Sequence, residues 1–173
     1  MGTVNTPDLD RRDAWASLML LPVLPDRAKF MPPGADELVL GHVFVRNTKE
    51  FGKNAKYKIP GGGRKSEDKT PLDTAVREVL EETGITVDPA RAVLLGRRFG
   101  GRNVSHWKNL YRGFIFESDR DRMHGNHPGN EGEIPVFLSN TKLKEEVYFG
   151  GVLETHVQWL VQLKILSQSD IAA

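Results

Sequence analysis

Glu78, Glu81 and Glu82 stand at i, i+3 and i+4 in the segment Arg77-Glu78-Val79-Leu80-Glu81-Glu82-Thr83-Gly84-Ile85. On a helix that spacing puts three carboxylates on one face. Ala75, Val76, Val79 and Leu80 fall on the other face and are expected to pack against a sheet. Like charges at this spacing cost a helix about a few tenths of a kcal/mol. Glu81 and Glu82 also sit in the last turn, where the helix dipole disfavours anions. Local stability does not select this pattern, and a bound divalent cation reverses the sign of each of these effects. Oxygen donors with no His or Cys nearby suit a hard cation, magnesium or manganese.

A glycine run, Gly61-Gly62-Gly63, precedes this helix. Glycines there let backbone N–H groups approach an anionic oxygen, such as a substrate phosphate. The planar fork of Arg77 can pair with a carboxylate or meet phosphates. The bland alternative is a solvated charged face with a good C-cap. It accounts for a lone Glu-Glu pair, but not for a glycine turn, a fixed gap, Arg-Glu, Glu-Glu and a final Gly-aliphatic pair together.

The elements that must position these groups follow from local pattern. Thr70 to Thr83 reads as a helix, with Thr70 as N-cap, Pro71 in its first turn, Asp73 three residues on and Gly84 as its stop. Ala14 to Leu24 is expected as a strand ended by Pro22 and Pro25, and Leu38 to Arg46 as another. Asn47 to Asn54 reads as a polar turn, and Lys56 to Ile59 as a short strand running into the glycines. Ala92 to Phe99, Trp107 to Glu117 and Ile134 to Leu138 are further strands. Phe30 to Asp36, Gly100 to Asn103 and Asp119 to Gly132 are loops, and Ser139 or Asn140 caps a short helix through Val147. Val152 to Leu166 suits a terminal amphipathic helix. This order gives an α+β fold: a mixed sheet with helices on its faces, in one layered sandwich.

The segment Gly63 to Ile85 resembles the Nudix box, G-x5-E-x7-R-E-U-x-E-E-x-G-U, where U is a bulky aliphatic residue. Gly63, Arg77, Glu78, Val79, Glu81, Glu82, Gly84 and Ile85 all fall in register, and Pro60-Gly61-Gly62 before them also matches. The resemblance implies a Nudix-like α/β/α sandwich. It implies hydrolysis of a pyrophosphate bond in a nucleoside diphosphate linked to another group, by attack of water at phosphorus. By that analogy Glu78, Glu81 and Glu82 hold magnesium, with manganese as the other option. One of these glutamates, or one from a later loop, is the general base, and Arg77 orients a box glutamate. Gly61, Gly62 and Gly63 face the substrate.

The sequence departs from the box once, where Lys69 stands in place of its first glutamate. Either Asp68 or Glu67 takes that position through a one-residue shift of the loop, or Lys69 contacts substrate phosphate directly. Lys69 also keeps a second reading open, a Nudix-fold module that binds a nucleotide or a partner without turning it over. Many family members add a carboxylate from a loop after the box. Glu131, ahead of Glu133, is the expected further metal ligand here. His124 and His127 read as exposed. Trp15, Phe44, Trp107, Tyr111 and Phe149 could stack on a base but suit packing better, and Arg46, Arg97, Arg98, Arg102 and Arg112 read mostly as surface charges. The proline that follows the box in the family's ADP-ribose hydrolases is absent, as is the upstream coenzyme A pattern.

The chain of 173 residues is expected to be one domain, with about residues 1–12 a flexible N-terminus. It has no cysteine, which excludes disulfides and thiolate chemistry and favours a reducing, cytoplasmic setting. Lys and Arg number 24 against 23 Asp and Glu. That balance argues against a broad nucleic-acid surface, and so against an RNA-end hydrolase. The apolar stretch from Ala14 to Leu24 is too short and too punctuated for a membrane span or signal core. Met1, Gly2 and Thr6 match a myristoylation pattern, and Asn103 opens a glycosylation sequon, but neither pattern is specific. The expected partner is a small nucleotide-type diphosphate; a homodimer is compatible with the composition. The even total hides two fields. Asp73 to Asp88 holds five acidic residues and one basic, whereas Arg91 to His124 holds eight basic and three acidic.

Overall fold

From Ser17 to Leu24 every residue is buried. Leu18 and Leu20 belong to one apolar cluster, and Met19, Leu21 and Val23 to another. A strand hidden on both faces must lie inside a sheet covered on both sides. This is β1 (Trp15–Leu24) in the computed structural model, which describes residues 15–30, 38–100 and 106–171. The other strands are β2 (Gly41–Asn47), β3 (Gly61–Gly63), β4 (Val93–Gly100), β5 (His106–Arg112), β6 (Ile115–Phe116) and β7 (Glu133–Ser139). They join one mixed sheet in the order β4-β5-β1-β2-β7, with β3 and β6 also paired to β1. β1 runs parallel to β5 and β6 and antiparallel to β2 and β3.

The helices are α1 (Thr48–Phe51), α2 (Pro71–Thr83), α3 (Asn140–Tyr148), α4 (Glu154–Gln162) and α5 (Gln168–Ile171). α2 lays Ala75 and Val79 over Met19, Leu21, Val43 and Ile115. On the opposite face Leu143 of α3 and Trp159 and Leu160 of α4 pack with Phe44, Leu110 and Leu138. The result is the expected α/β/α sandwich around a mixed sheet.

Five elements differ from expectation. Pro22 does not end β1. The even-numbered backbone groups of β1 face β5 and β6, since the Gly113 N–H donates to the Leu20 carbonyl at 3.0 Å. Pro22 falls where β5 has ended and β6 has not begun, so its missing N–H breaks no ladder bond. Trp107 to Glu117 splits at the same place, into β5 and β6. The expected polar turn after β2 contains α1, and only Tyr57 and Lys58 of the expected short strand form bridges, to Val152 and Val45. The terminal helix is shorter than its apolar pattern. The Leu153 N–H is drawn to the Tyr57 carbonyl at 2.9 Å, and after Gln162 the chain turns through Lys164, whose φ is 59°. The expected segments at 1–12, 31–36 and 101–103, with Arg102 and Asn103, lie outside the described residues. Among the described residues, no helix is long and apolar enough to cross a membrane.

Two imidazoles are buried in this frame. His156 accepts the Ile59 N–H on its Nδ1 at 2.8 Å, and burial lowers its pKa to about 4. Burial does the same to His42. A base with a depressed folded pKa favours the folded state above its ordinary value, 6.5, and loses that contribution as pH falls toward 4. His156→Asn keeps an acceptor for Ile59 but removes the titration. The stability difference between wild type and this variant, from urea unfolding, is expected to narrow between pH 7 and pH 4. A constant difference contradicts the assignment.

Candidate active site

α2 is fixed at both ends. The Thr70 hydroxyl accepts the Asp73 N–H at 3.1 Å, and the Asp73 carboxylate accepts the Thr70 N–H at 2.8 Å, a reciprocal capping box. Pro71 opens the helix, and Gly84, at φ 74°, closes it with its N–H on the Leu80 carbonyl. These caps set where the three glutamates project.

The glycine run is itself strand β3, with Gly61, Gly62 and Gly63 registered on Leu18, Ser17 and Ala16. A Cβ on Gly61 would lie 2.3 Å from the Ser17 carbonyl oxygen, and one on Gly62 would lie 2.7 Å from the Glu78 carboxylate. At Gly61 only glycine lets the backbone lie this close to β1, and at Gly62 a side chain would have to push Glu78 aside. The Gly61 N–H donates to Glu82 at 2.9 Å. One of the amides expected to meet a substrate oxygen therefore meets a carboxylate of the protein.

Arg77 connects most of the site. Its Nε and Nη2 donate to Asp68 at 3.0 and 2.8 Å. Its Nη1 donates to Glu78 at 2.7 Å and to Glu81 at 2.9 Å, and Nη2 also reaches the Gly63 carbonyl at 2.8 Å. Asp68 is buried, accepts the Thr74 hydroxyl as well, and is lowered to about 2, chiefly by the Arg77 guanidinium. Glu82 is buried too, and burial pushes it up to about 7 against the pull of Lys58 and the Gly61 N–H. Burial also raises Glu78. Lys58 donates to Glu82 at 3.0 Å and lies 3.6 Å from Glu133. Burial works against its charge, but Glu82 and Glu133 more than offset that and hold it above its ordinary value. Lys65 donates to Glu81 at 2.8 Å.

Glu78, Glu81, Glu82, Glu131 and Glu133 all line one open cavity of about 360 Å³, with Gly61, Gly62 and Gly63 on its floor and Lys58, Arg64 and Lys65 at its sides. The loop carrying Glu131 and Glu133 is tied to α2 by Asn130, whose amide donates to the Glu81 carbonyl at 3.1 Å. Glu133 is buried, and its carboxylate accepts the Glu131 N–H at 3.0 Å, while Glu131 itself is exposed. Lys69 is exposed and is not among the lining residues; Lys65 holds the place nearer the carboxylates. His124 and His127 stack on one another away from the lining. Phe44 is fully buried and Phe149 is exposed, and neither they nor Trp15, Trp107 and Tyr111 line this cavity.

Sequence pattern missed Lys58, Lys65 and Asn130. Lysines and asparagines are common on surfaces, and nothing in their spacing marks these three. The offset between Lys69 and Asp68 was visible only as two acids just before the expected position.

As a cation site, the donor set is all carboxylate and suits a hard divalent ion. Two of these carboxylates are raised by burial, so an added cation would relieve them. Among the described residues, no three acids or histidines converge as a ready-made cage. Lys58, Lys65 and Arg77 occupy the oxygens instead. Magnesium, which keeps waters and is completed by substrate phosphates, tolerates such an incomplete set.

A mixed sheet between helical layers, with a glycine strand facing a carboxylate-bearing helix end, defines a Nudix-type domain. The family model described as NUDIX domain matches residues 20–146, and the chain belongs to the Nudix family. Among solved structures, the chain is similar to the NUDIX domain of Shewanella oneidensis NrtR, which was crystallised with ADP ribose. The TM-score is 0.60 at 10% identity, over 87% of this chain and 85% of that one. It is also similar to a MutT/nudix family protein from Enterococcus faecalis, with a TM-score of 0.52 at 15% identity over 73% of this chain. The match spans only 43% of that protein's length. At these identities the likeness shows the fold alone. Comparison with curated proteins gives no match.

Asp68→Ala removes the main acceptor of Arg77, whereas Lys69→Ala touches nothing in the cavity. The first is expected to lower any pyrophosphate hydrolysis at this cavity at least about tenfold, in line with loss of a charge-assisted hydrogen bond. The second should stay within about twofold of wild type, a change too small to reflect a lost hydrogen bond. Gly62→Ala should lower turnover while shifting the melting temperature little, because the atoms it meets are the carboxylate end of the Glu78 side chain and not backbone. Equal effects of Asp68→Ala and Lys69→Ala in a phosphate-release assay would refute the first assignment.

Proposed function

We propose that this protein hydrolyses a pyrophosphate bond in a small nucleoside diphosphate linked to another group. The observation that carries this reading is the single cavity in which five glutamates of α2 and the Gly129–Glu133 loop face the backbone of the glycine strand. It sits in a chain of the Nudix family. Glu78, Glu81 and Glu82, with Glu131 or Glu133, are the residues that would hold magnesium or manganese. When bound, such an ion neutralises diphosphate charge and makes water a better nucleophile at neutral pH.

The rest is done by the chain itself. Arg77 holds Glu78 and Glu81 in fixed orientation from one side, and Asp68 holds Arg77. Arg64 and Lys65, at the side of the cavity, supply positive charge for the phosphates. One of the cavity glutamates that the ion leaves free, from α2 or from Glu131 and Glu133, would take the proton from the attacking water. Lys58 and the Gly61 N–H hold the Glu82 carboxylate in place, and Lys58 also faces Glu133, whose like charge acts against ionised Glu82.

One observation favours a second reading, a nucleotide-binding module without turnover: lysines and an arginine already occupy the acidic oxygens, and no ligand cage is formed among the described residues. A release screen separates the two. It would use nucleoside diphosphate sugars, dinucleoside polyphosphates, ADP-ribose and nucleoside triphosphates, with magnesium and then manganese. Turnover of at least one compound is expected, falling by about two orders of magnitude or more in Glu82→Gln, the loss expected when a carboxylate that would hold the metal or act on the water is removed. Nucleotide binding without turnover of any compound would establish the binding module instead.

A further inference from the structure

A second cavity, of about 530 Å³, lies on the other face of the sheet and shares no lining residue with the first. Its floor is the second half of β1: Leu20, Pro22 and Leu24 all line it, as side chains at i, i+2 and i+4 of a strand must. The sheet register brings two polar residues to this floor from opposite sides. Arg112 of β5 is registered on Leu20, and His42 of β2 on Pro22. Both therefore project from the same face, on strands flanking β1, roughly 10 Å apart across the sheet.

Each carries a buried nitrogen without a hydrogen-bond partner. These are Nε of Arg112 and Nδ1 of His42, and His42 is only 4% exposed. An unpaired buried N–H costs about 1–3 kcal/mol; Nε of Arg112 is such a donor, Nδ1 of His42 is one in the tautomer protonated there, and both belong to side chains that line this cavity. No acidic side chain pairs with Arg112 among the described residues; its guanidinium lies over the Phe114 ring, 5.2 Å from the centroid. Lys144, also at the wall, is committed to Asp170 at 3.1 Å. Asn140 also lines it, its amide donating to the Val39 carbonyl at 3.1 Å, and the other walls are apolar, with Leu95, Leu163 and Ile165 closing the space from β4 and from the turn after α4. The volume lies within the range of small-molecule sites, and so does the mixture of apolar walls with a few polar groups.

We propose that this cavity binds a small organic anion. A carboxylate or phosphate head accepts from the Arg112 guanidinium and the His42 ring N–H, and an apolar body lies against Leu20, Leu95 and Ile165. Burial keeps His42 uncharged at neutral pH, so the site offers one positive charge and one neutral donor. That balance suits a single anionic head rather than a diphosphate. The proposal is independent of turnover at the glutamate cavity.

The test uses the full chain and three probes sharing one ring system: naphthylacetate, naphthyl phosphate and the neutral naphthylacetamide. Calorimetric titration should show saturable binding of at least one anion, and at least about tenfold weaker binding of the amide, the loss expected for a charge-assisted contact. Preference between the two anions identifies the head group. Arg112→Gln should weaken anion binding by a similar factor. In nitrogen-detected NMR of the wild type, the Arg112 Nε and His42 ring signals should shift on addition of the anion, a readout that needs no variant to fold. The proposal is overturned if neither anion binds, if Arg112→Gln binds as wild type does, or if those signals stay fixed. Displacement of the probe by a nucleoside diphosphate would also overturn it, by placing the probe in the first cavity.

Discussion

The Arg77 guanidinium is the interaction on which the glutamate cavity depends. Its donors are divided between Asp68, Glu78, Glu81 and the Gly63 carbonyl. One planar cation thus joins the loop before α2, two carboxylates of the helix and the end of β3. Carboxylates spaced at i, i+3 and i+4 repel each other. A guanidinium among them turns repulsion into a scaffold, at the expense of occupying oxygens that a metal would use. Glu82 is treated differently: it is sunk against the Gly61 N–H and Lys58, where its charge is disfavoured by burial and supported by neighbours. The site therefore holds carboxylates of distinct character, two braced by an arginine and one poised by desolvation.

The fold supplies these placements by simple means. β1 is apolar on both faces, so it must be interior, and everything else is arranged around it. Its first half receives β3 and so brings the glycines under α2, while its second half receives β2. The capping box at Thr70 and Asp73 and the left-handed Gly84 fix the length of α2 between these supports. None of this requires strong local propensity in the glycine run, which has none.

Much of this was legible in the sequence. Thr70, Pro71, Asp73 and Gly84 act at the end of α2 where their types predict, because caps are local chemistry. The two-sided strand and the layer order follow from periodicity. What failed to show had non-local causes. That Pro22 lies inside β1 depends on where two other strands meet beside it. That the helix after Gly151 starts late depends on a backbone bond to Tyr57. The pattern left Asp68, Glu67 and Lys69 open at the box position; that Asp68 is the one to meet Arg77 depends on the loop's path, where the Lys65 N–H also turns back onto the Asp68 carboxylate. Lys58 and Asn130 join the cavity only through tertiary packing.

β1 also makes the two cavities mechanically inseparable. Ser17 and Leu18 back the glycine strand, and Leu20 and Pro22 floor the apolar pocket six or fewer residues along the same chain segment. Because side chains alternate, sliding β1 by one residue would exchange its two faces at once. Leu18 and Leu20 would be driven toward α2, and the residues now under α2 would be driven into the opposite layer. Sites with different chemistry on opposite faces would vanish together. A single inserted residue in this strand is thus a harsher change than the loss of any one glutamate, since it rewrites the floor of both at a stroke.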